Sequence, residues 1–542
     1  MRAEATMSRE AMPDWRSVLW SALPYLTFVA LCAAANRAFS GVTLSLFTNG
    51  VPLSSIGLLI LVGLIGARVS YRDVPPAVSI VLRITLAFSV FYLVTSRMVL
   101  SPAVVGRPGD LGLIVNYVWV IAAFFGLIAL VRPSFGLLPL YYIHMQKQAL
   151  AAVFGVPISS VDYMTIIDTA GLLIIASLLL PLFANIQRRS AALSLGPNRP
   201  DQLGLMEAVL LAGVSLHFGN YFFGALGKIA VGGDLMFWVF ENRTEYLILA
   251  SSEAGVNPLS FSDSLLRSAY EWFSLASPLF NFATLAGQLF CVVLVVRPRL
   301  AMLTTAFFDL MHIGIFVLTG IFFWKFILLN LAIVLGLRRM IGRRIPPLFA
   351  VSLIGLVVVS PALFHINYFY WLDTRSMNSV RFWAVDDEGQ EYRVPASYFL
   401  GISVTMNQQR LINPEHGPFP TWTWGTTRNR AEMRASETCE LERIAESGAE
   451  NRYFVTKQRI RNALRRYHAH VLENVDEDGL LAYDFYPHHI FSVPWKYRAF
   501  RTLDKRRIQQ YRYSIEAVCL GYEDGAFSRQ IQWHDGFDIP LD

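Results

Sequence analysis

The sequence predicts a polytopic α-helical membrane protein of about 9–11 spans with a C-terminal soluble domain of α+β or β-rich type. Three observations make that prediction. Hydrophobic residues are 54 % of the 542 and charged residues only 16 %, against about 25 % in soluble domains, and mean hydropathy is +0.42. Polarity then splits along the chain: residues 1–366 hold 24 Lys/Arg and 16 Asp/Glu, whereas residues 367–542 hold 22 and 24. Finally, the basic residues of the first region gather in short turns between apolar runs, the pattern of cytoplasmic loops. These features exclude a disordered chain, a disulfide-rich miniprotein and an ordinary cytosolic enzyme. The net charge of +6 needs no nucleic-acid partner, because positive loops account for it.

The spans follow in order. The first sixteen residues mix acids and bases, and the apolar run after them, about 17–36, is long enough to remain as a span rather than a cleaved leader. Further candidates are about 51–67, 76–98, 113–131, 135–156, 165–186, 205–226, 275–297, 301–318, 321–337 and 346–366. A span takes about 20 residues, so 51–67 and 321–337 are short. With the N-terminus inside, eleven crossings place Arg68/Arg72, Arg132, Arg188/Arg189/Arg199, Arg297/Arg299 and Arg338/Arg339/Arg343/Arg344 on the cytoplasmic side. That requires 135–156 to cross despite His144, Gln146, Lys147 and Gln148. The expected location is a bacterial inner membrane, with domain 1–366 in the bilayer and 367–542 periplasmic.

In the tail, Val380–Val385, the turn Asp386–Gly389 and Glu391–Val394 predict a hairpin, and Tyr398–Met406 a further strand. A helix is predicted at about 454–472, with Lys457, Arg461 and Arg465 on a solvated face. Phe500–Leu520, with Lys505–Arg507, reads as helix or strand. Cys439 and Cys519 could form a disulfide in an oxidising compartment or stay free thiols, while Cys32 and Cys291 read as apolar packing residues in spans.

Ionisable groups inside a bilayer cost about 2.5–3.5 kcal/mol each, so each needs a partner or a purpose. Within 215–238, His217, Tyr221, Gly224 and Lys228 follow one another at four, three and four residues, on one helix face. Gly224 removes bulk there, so a ligand or a helix could approach; the plainer reading is a packing stripe ending in a snorkelling lysine. Asp309 and His312 are three apart, so the carboxylate could hold the imidazole in one tautomer as a proton relay. Gly320, Phe322–Trp324 and Lys325 read as an interfacial turn. His144 and Gln148, with Lys147 between, suggest a water-filled cavity or an interfacial helix. Asp168 is alone in its span, with Arg83, Glu207 and Asn116 as candidate partners. Nucleotide-binding, zinc-protease, CxxC and GxSxG motifs are absent, and no metal is expected. His488–His489 and His534–Asp535 lack metal-ligand spacing and read as surface residues. Asn242–Arg243–Thr244 fits a glycosylation sequon on the outer side.

The run YFFGALGKIAVGGDLMFW, 221–238, with Tyr221, Gly224, Lys228 and Trp238, resembles a segment of the HTTM (horizontally transferred transmembrane) family, which includes the vitamin K-dependent gamma-glutamyl carboxylases. His312, then Gly320 and Phe322–Phe323–Trp324, resembles a second segment, and Asp168 followed by LLLPLF a third. The resemblance covers about 160–337, in order and spacing. It implies that Lys228 is a base acting on a reduced quinone, vitamin K-like, to drive oxygenation or carboxylation, and that His312 orients ligand or relays protons. Such chemistry needs an uncharged amine. Asp309 would orient His312, and His217, Tyr221, Gly224, Asp168, Trp238 and Trp324 would bind ligand. The carboxylases carry a lysine pair where this chain has Gly227–Lys228, an Asn–His sequence near Asp168, and a proline at Phe323.

Three functions compete on these residues. The first is this carboxylase-like membrane enzyme, with a quinone or lipid ligand and a possible protein substrate at the tail. The second is a non-catalytic binding or assembly protein whose extracytoplasmic tail recognises a protein partner. The third is a transporter, to which the lack of visible similarity between the two halves of the membrane region is opposed.

Overall fold

The computed structural model describes residues 15–96, 98–101, 104, 110–156, 161–190, 201–402, 406, 425–440, 455–483 and 489–541. Its first two-thirds is a bundle of long apolar helices. They are α1 (Trp15–Thr48), α2 (Pro52–Ile65), α3 (Pro76–Thr95), α4 (Ile114–Ala129), α5 (Leu137–Phe154), α6 (Val161–Arg189) and α7 (Leu205–Gly232). After a short α8 (Tyr246–Ala254) come α9 (Asp263–Leu294), α10 (Pro298–Thr319), α11 (Trp324–Arg338) and α12 (Pro347–Leu363). Six of these, α1, α3, α6, α7, α9 and α10, are long and apolar enough to cross a bilayer; α2, α4 and α12 are apolar but shorter. Their outer surface is that of a protein bathed in lipid. On α9, Leu275 is 85 % and Leu279 69 % exposed, with Trp272, Phe282 and Phe290 beside them. By contrast α7 lies at the centre, with 83 % of its apolar window buried.

Sequence boundaries shift where capping decides them. The ninth helix starts at Asp263, about twelve residues before the apolar run, because Ser262 caps it by accepting the Leu265 N–H at 3.3 Å. The basic turns meet at one end of the bundle. Arg132 Nη1 donates to Arg68 O at 3.4 Å, Arg343 pairs with Glu207 at 3.1 Å and Arg344 with Asp201 at 2.6 Å. The tail sits at the other end, where Arg459 Nε donates to Gly155 O at 3.1 Å past α5 and Arg430 Nη1 to Gly232 O at 2.9 Å past α7. Helix α5 therefore runs the length of the bundle, with His144 and Lys147 inside it.

The tail is β-rich with helices α13 (Arg430–Ser436) and α14 (Lys457–Leu472). Strands β1 (Leu372–Asp373) and β4 (Thr426–Thr427) form one small sheet. Strands β2 (Ser376–Asp386), β3 (Glu391–Arg393), β5 (Ile508–Glu523) and β6 (Ala526–Pro540) form an antiparallel sheet in the order β3-β2-β5-β6. The β2–β3 hairpin pairs Trp383 with Arg393. Residues 396–402 do not form the expected strand: they make a tight helical turn, with Leu400 at φ 42°. The second half of Phe500–Leu520 is strand, not helix. The basic face of α14 is not simply solvated either. Arg465 Nε donates to Pro540 O at 2.8 Å, Arg459 and Arg466 donate to Gly155 and Val153 carbonyls, and Lys457 and Arg461 lie 5.6 and 5.1 Å from the Phe537 ring centre. Those two α5-directed arginines complete carbonyls that the end of a helix leaves unpaired.

A charged quartet also fixes the tail to the bundle. Glu253 of α8 pairs with Arg381 of β2 and, at 3.0 Å, with Arg529 of β6; both arginines also pair with Glu516 of β5. Cys439 and Cys519 form a disulfide, with Cα atoms 5.9 Å apart, while Cys32 and Cys291 are buried free thiols.

Candidate functional site

One extended segment, residues 364–371, joins the end of α12 to β1 and draws the polar positions together. Its odd-numbered residues each bond a different part of the bundle. His365 donates its backbone N–H to Asp168 Oδ2 at 2.6 Å, and its Nδ1 lies 3.1 Å from the same oxygen. The Asn367 N–H donates to Asn220 Oδ1 at 2.8 Å. The Phe369 and Trp371 carbonyls accept from Lys228 Nζ at 3.0 Å and Trp238 Nε1 at 2.8 Å. The period of two is that of an extended chain. Two glycines of α7 make room for it. A Cβ at Gly227 would stand 2.0 Å from Tyr370 Cδ1, and one at Gly224 3.2 Å from Phe369 O. The space at Gly224 is thus occupied by the protein's own backbone.

Lys228 is 6 % exposed. Its Nζ also donates to Gln288 Oε1 of α9 at 3.0 Å and lies 5.0 Å from the Trp238 ring centre. Among the described residues both hydrogen-bond acceptors are neutral. A carboxylate stands further off: Asp373, 1 % exposed, feels the Lys228 charge without pairing with it. Asn242 grips Asp373 twice, donating Nδ2 to Oδ2 at 2.8 Å and accepting the Asp373 N–H at 2.7 Å, and Oδ1 has no hydrogen-bond partner. Burial pushes the Asp373 carboxyl up to about 7, with the neighbouring Glu245 adding to the rise and Asn242 and Lys228 opposing it. Asn242 is 2 % exposed and its amide is spent on Asp373 and Thr244, so the sequon is a structural knot rather than an acceptor site.

The second cluster is organised differently from the sequence expectation. Asp309 and His312 share α10, but no hydrogen bond joins them among the described residues; Asp309 Oδ1 and His312 Nδ1 are both buried without a partner. The organiser is Asn330 of α11. It accepts from His217 Nε2 at 2.8 Å, donates to Tyr221 Oη at 3.0 Å and faces the Asp309 carboxylate. His217 Nε2 therefore carries the proton, and its Nδ1 is unpartnered. The Tyr221 ring stacks on Phe308 at 3.6 Å between centres. Rings then lead from this cluster to the lysine: His312–Phe323 at 5.4 Å, Phe323–Phe369 at 5.5 Å and Phe369–Trp371 at 6.5 Å. Phe369 is common to both, offering its ring to the His312 side and its carbonyl to Lys228.

Two expected site residues, Asp168 and Trp324, stand elsewhere, and His489 is not on the surface. The partner of Asp168 is His365; Arg83 lies over Tyr71 at 4.5 Å, Glu207 caps α7 through the Gly204 N–H at 2.9 Å, and Asn116 bonds the Leu100 backbone. Trp324 packs on Phe88 and Tyr92 of α3, at 4.9 and 5.7 Å, and Lys325 is buried beside the same Tyr92, so both side chains point into the bundle. His489 packs on Phe323 at 5.0 Å instead of lying on the surface; His488 falls outside the described residues. Asn330, Gln288, Phe369, Asp373 and His365 went unnoticed in the sequence. Asn330 is the lone amide of α11 and Gln288 one of two in α9, with Asn281, which is a readable signal; His365 falls at the end of the expected span 346–366 and Phe369 and Asp373 beyond it, and the roles of all three depend on long-range packing.

Comparison with family models, with curated proteins and with solved structures returns no match for this chain.

Proposed function

We propose that this chain is an integral membrane enzyme of the HTTM, vitamin K-dependent carboxylase-like kind, with Lys228 as a base toward a reduced quinone or similar planar lipidic ligand. In this reading eleven helical segments cross the membrane, from α1–α7 and α9–α12. The N-terminus and basic turns are cytoplasmic, and the tail is periplasmic in a bacterial inner membrane. The carrying observation is the Lys228 environment: a buried amine held at 3.0 Å by two neutral acceptors, against Trp238 and one residue removed from a wall of rings.

The groups present fit a quinol. Flat apolar rings suit its ring, and the unpartnered His312 Nδ1 and Asp309 Oδ1 suit its hydroxyls. When bound, the quinol would supply the reducing electrons for oxygenation. The chain's own part is narrower. Lys228 takes up a proton on the Nζ lone pair, which its two N–H donations leave free; Gln288 and the Phe369 carbonyl aim it; the segment 364–371 covers it from water.

Oxygen consumption and quinone-product mass spectrometry on purified protein, with a panel of reduced quinones, test this. Lys228→Ala should lose at least about 100-fold in turnover while retaining its fold, and Lys228→Arg should lose as much. Full activity in Lys228→Ala, or no turnover by folded wild type with any quinol, would sink the reading. The second result would favour a binding protein acting through its tail.

A further inference from the structure

The basic end of the bundle holds a crevice that plays no part in the Lys228 site. It measures about 140 Å3 and is lined by Arg68, Val69, Asp73 and Val74 of the α2–α3 loop, Ser177, Leu180 and Pro181 of α6, and Met206 of α7. Its walls are mostly apolar and its rim is cationic. Arg68 and Arg72 are exposed and have no ion-pair partner among the described residues. Arg132 is tied to the loop through the Arg68 carbonyl at 3.4 Å.

The acidic groups nearby are spoken for. Asp73 accepts from Ser70 N at 2.9 Å and Ser70 Oγ at 3.0 Å, and feels Arg132 and Arg72. Glu207 and Asp201 pair with Arg343 and Arg344. Three arginines therefore face one carboxylate, leaving an uncompensated positive charge over an apolar slot.

We propose that this crevice binds an anionic phospholipid, its acyl chain against Leu180, Pro181 and Met206 and its phosphate against Arg68, Arg72 and Arg132. The pairing of charge with apolar depth selects the lipid. A free phosphate has no use for the walls, and a zwitterionic headgroup has less use for the arginines. Nothing in the inference depends on the chemistry at Lys228, so the two stand or fall separately.

The test is lipid retention by the full chain, read by native mass spectrometry after exchange into vesicles of phosphatidylglycerol or phosphatidylcholine. Wild type should keep phosphatidylglycerol on the order of tenfold better, and the Arg68→Gln, Arg72→Gln double variant should lose that preference. Val69→Trp, which fills the mouth without changing charge, should lower retention of both lipids. Equal retention of the two lipids by wild type would overturn the proposal, as would an unchanged preference in the double variant. Displacement of the lipid by millimolar inorganic phosphate would also overturn it, making the site one for a small anion.

Discussion

The two halves of the polar stripe on α7 look alike in sequence and are held in different ways. His217 and Tyr221 are bonded by one side chain, Asn330, from an adjacent helix. Lys228 is held by Gln288 from α9 and by the backbone of the segment that leaves α12. The first half is a local helix–helix contact, the second a junction of bundle and tail. The difference teaches that spacing on a helix finds a polar face but says nothing of what that face meets. A motif that ends at a lysine is therefore incomplete without the chain that closes over it.

The largest effect that would break the comparison is functional. Lys228→Ala should abolish turnover, whereas Asn330→Ala should leave measurable turnover and act on stability. Removing Asn330 strands His217 Nε2 and Tyr221 Oη inside the bundle at a cost of about 1–3 kcal/mol, near the lower value if lipid-embedded helices find other partners. Denaturation of the purified protein in detergent measures this. Equal loss of activity in both variants would make the stripe one unit instead of two.

A smaller effect sharpens the role of the covering segment. Gly227→Val would force Tyr370 away from a position 2.0 Å from the new Cβ. Overpacking of this kind costs about 1–3 kcal/mol. The expected signature is faster labelling of Lys228 by a water-soluble amine reagent, followed by mass spectrometry. Unchanged labelling would mean that the segment does not shield the lysine.

Much of the bundle was legible because a bilayer imposes a strong constraint: runs of apolar residues separated by arginine turns map onto α1–α7 and α9–α12, with most ends a few residues off but α1 running about twelve residues past its expected end and α9 starting about twelve before its expected start. The stripe His217–Tyr221–Gly224–Lys228 was legible for the same reason, since helical spacing is local. What failed was pairing. Asp309 and His312 are close in sequence, yet Asn330 takes the bonding role, because a side chain on a facing helix can reach where a neighbour three residues away cannot turn. Arg83, Glu207 and Asn116 of the spans are engaged elsewhere, and the partner of Asp168 is His365 in the segment between α12 and β1. In the tail, Tyr398–Met406 has strand-like residues, but its first half turns tightly to cover Tyr467 and Tyr511, with the Tyr398 hydroxyl 2.7 Å from that of Tyr511. Tertiary packing overrode the local preference.

The last effect is read as a pH dependence and concerns Asp373, a buried carboxyl that feels the lysine without pairing with it. Its carboxyl stands at about 7 in the folded chain against an ordinary value of 3.8. The folded state therefore binds a proton that the unfolded state has released over the interval from about 4 to 7. Stability from this group is fully present at the acid end and is lost as pH rises through 7. Asp373→Asn keeps the shape but removes the titration, and its amide can still meet Asn242. The difference in melting temperature between wild type and Asp373→Asn should move in the variant's favour as pH is raised from 5 to 8. A difference that stays flat would mean that Asp373 remains charged when buried, balanced by Lys228 across the gap. In that case the lysine would also be pinned as an ammonium, and the base assigned to it would have to be sought elsewhere.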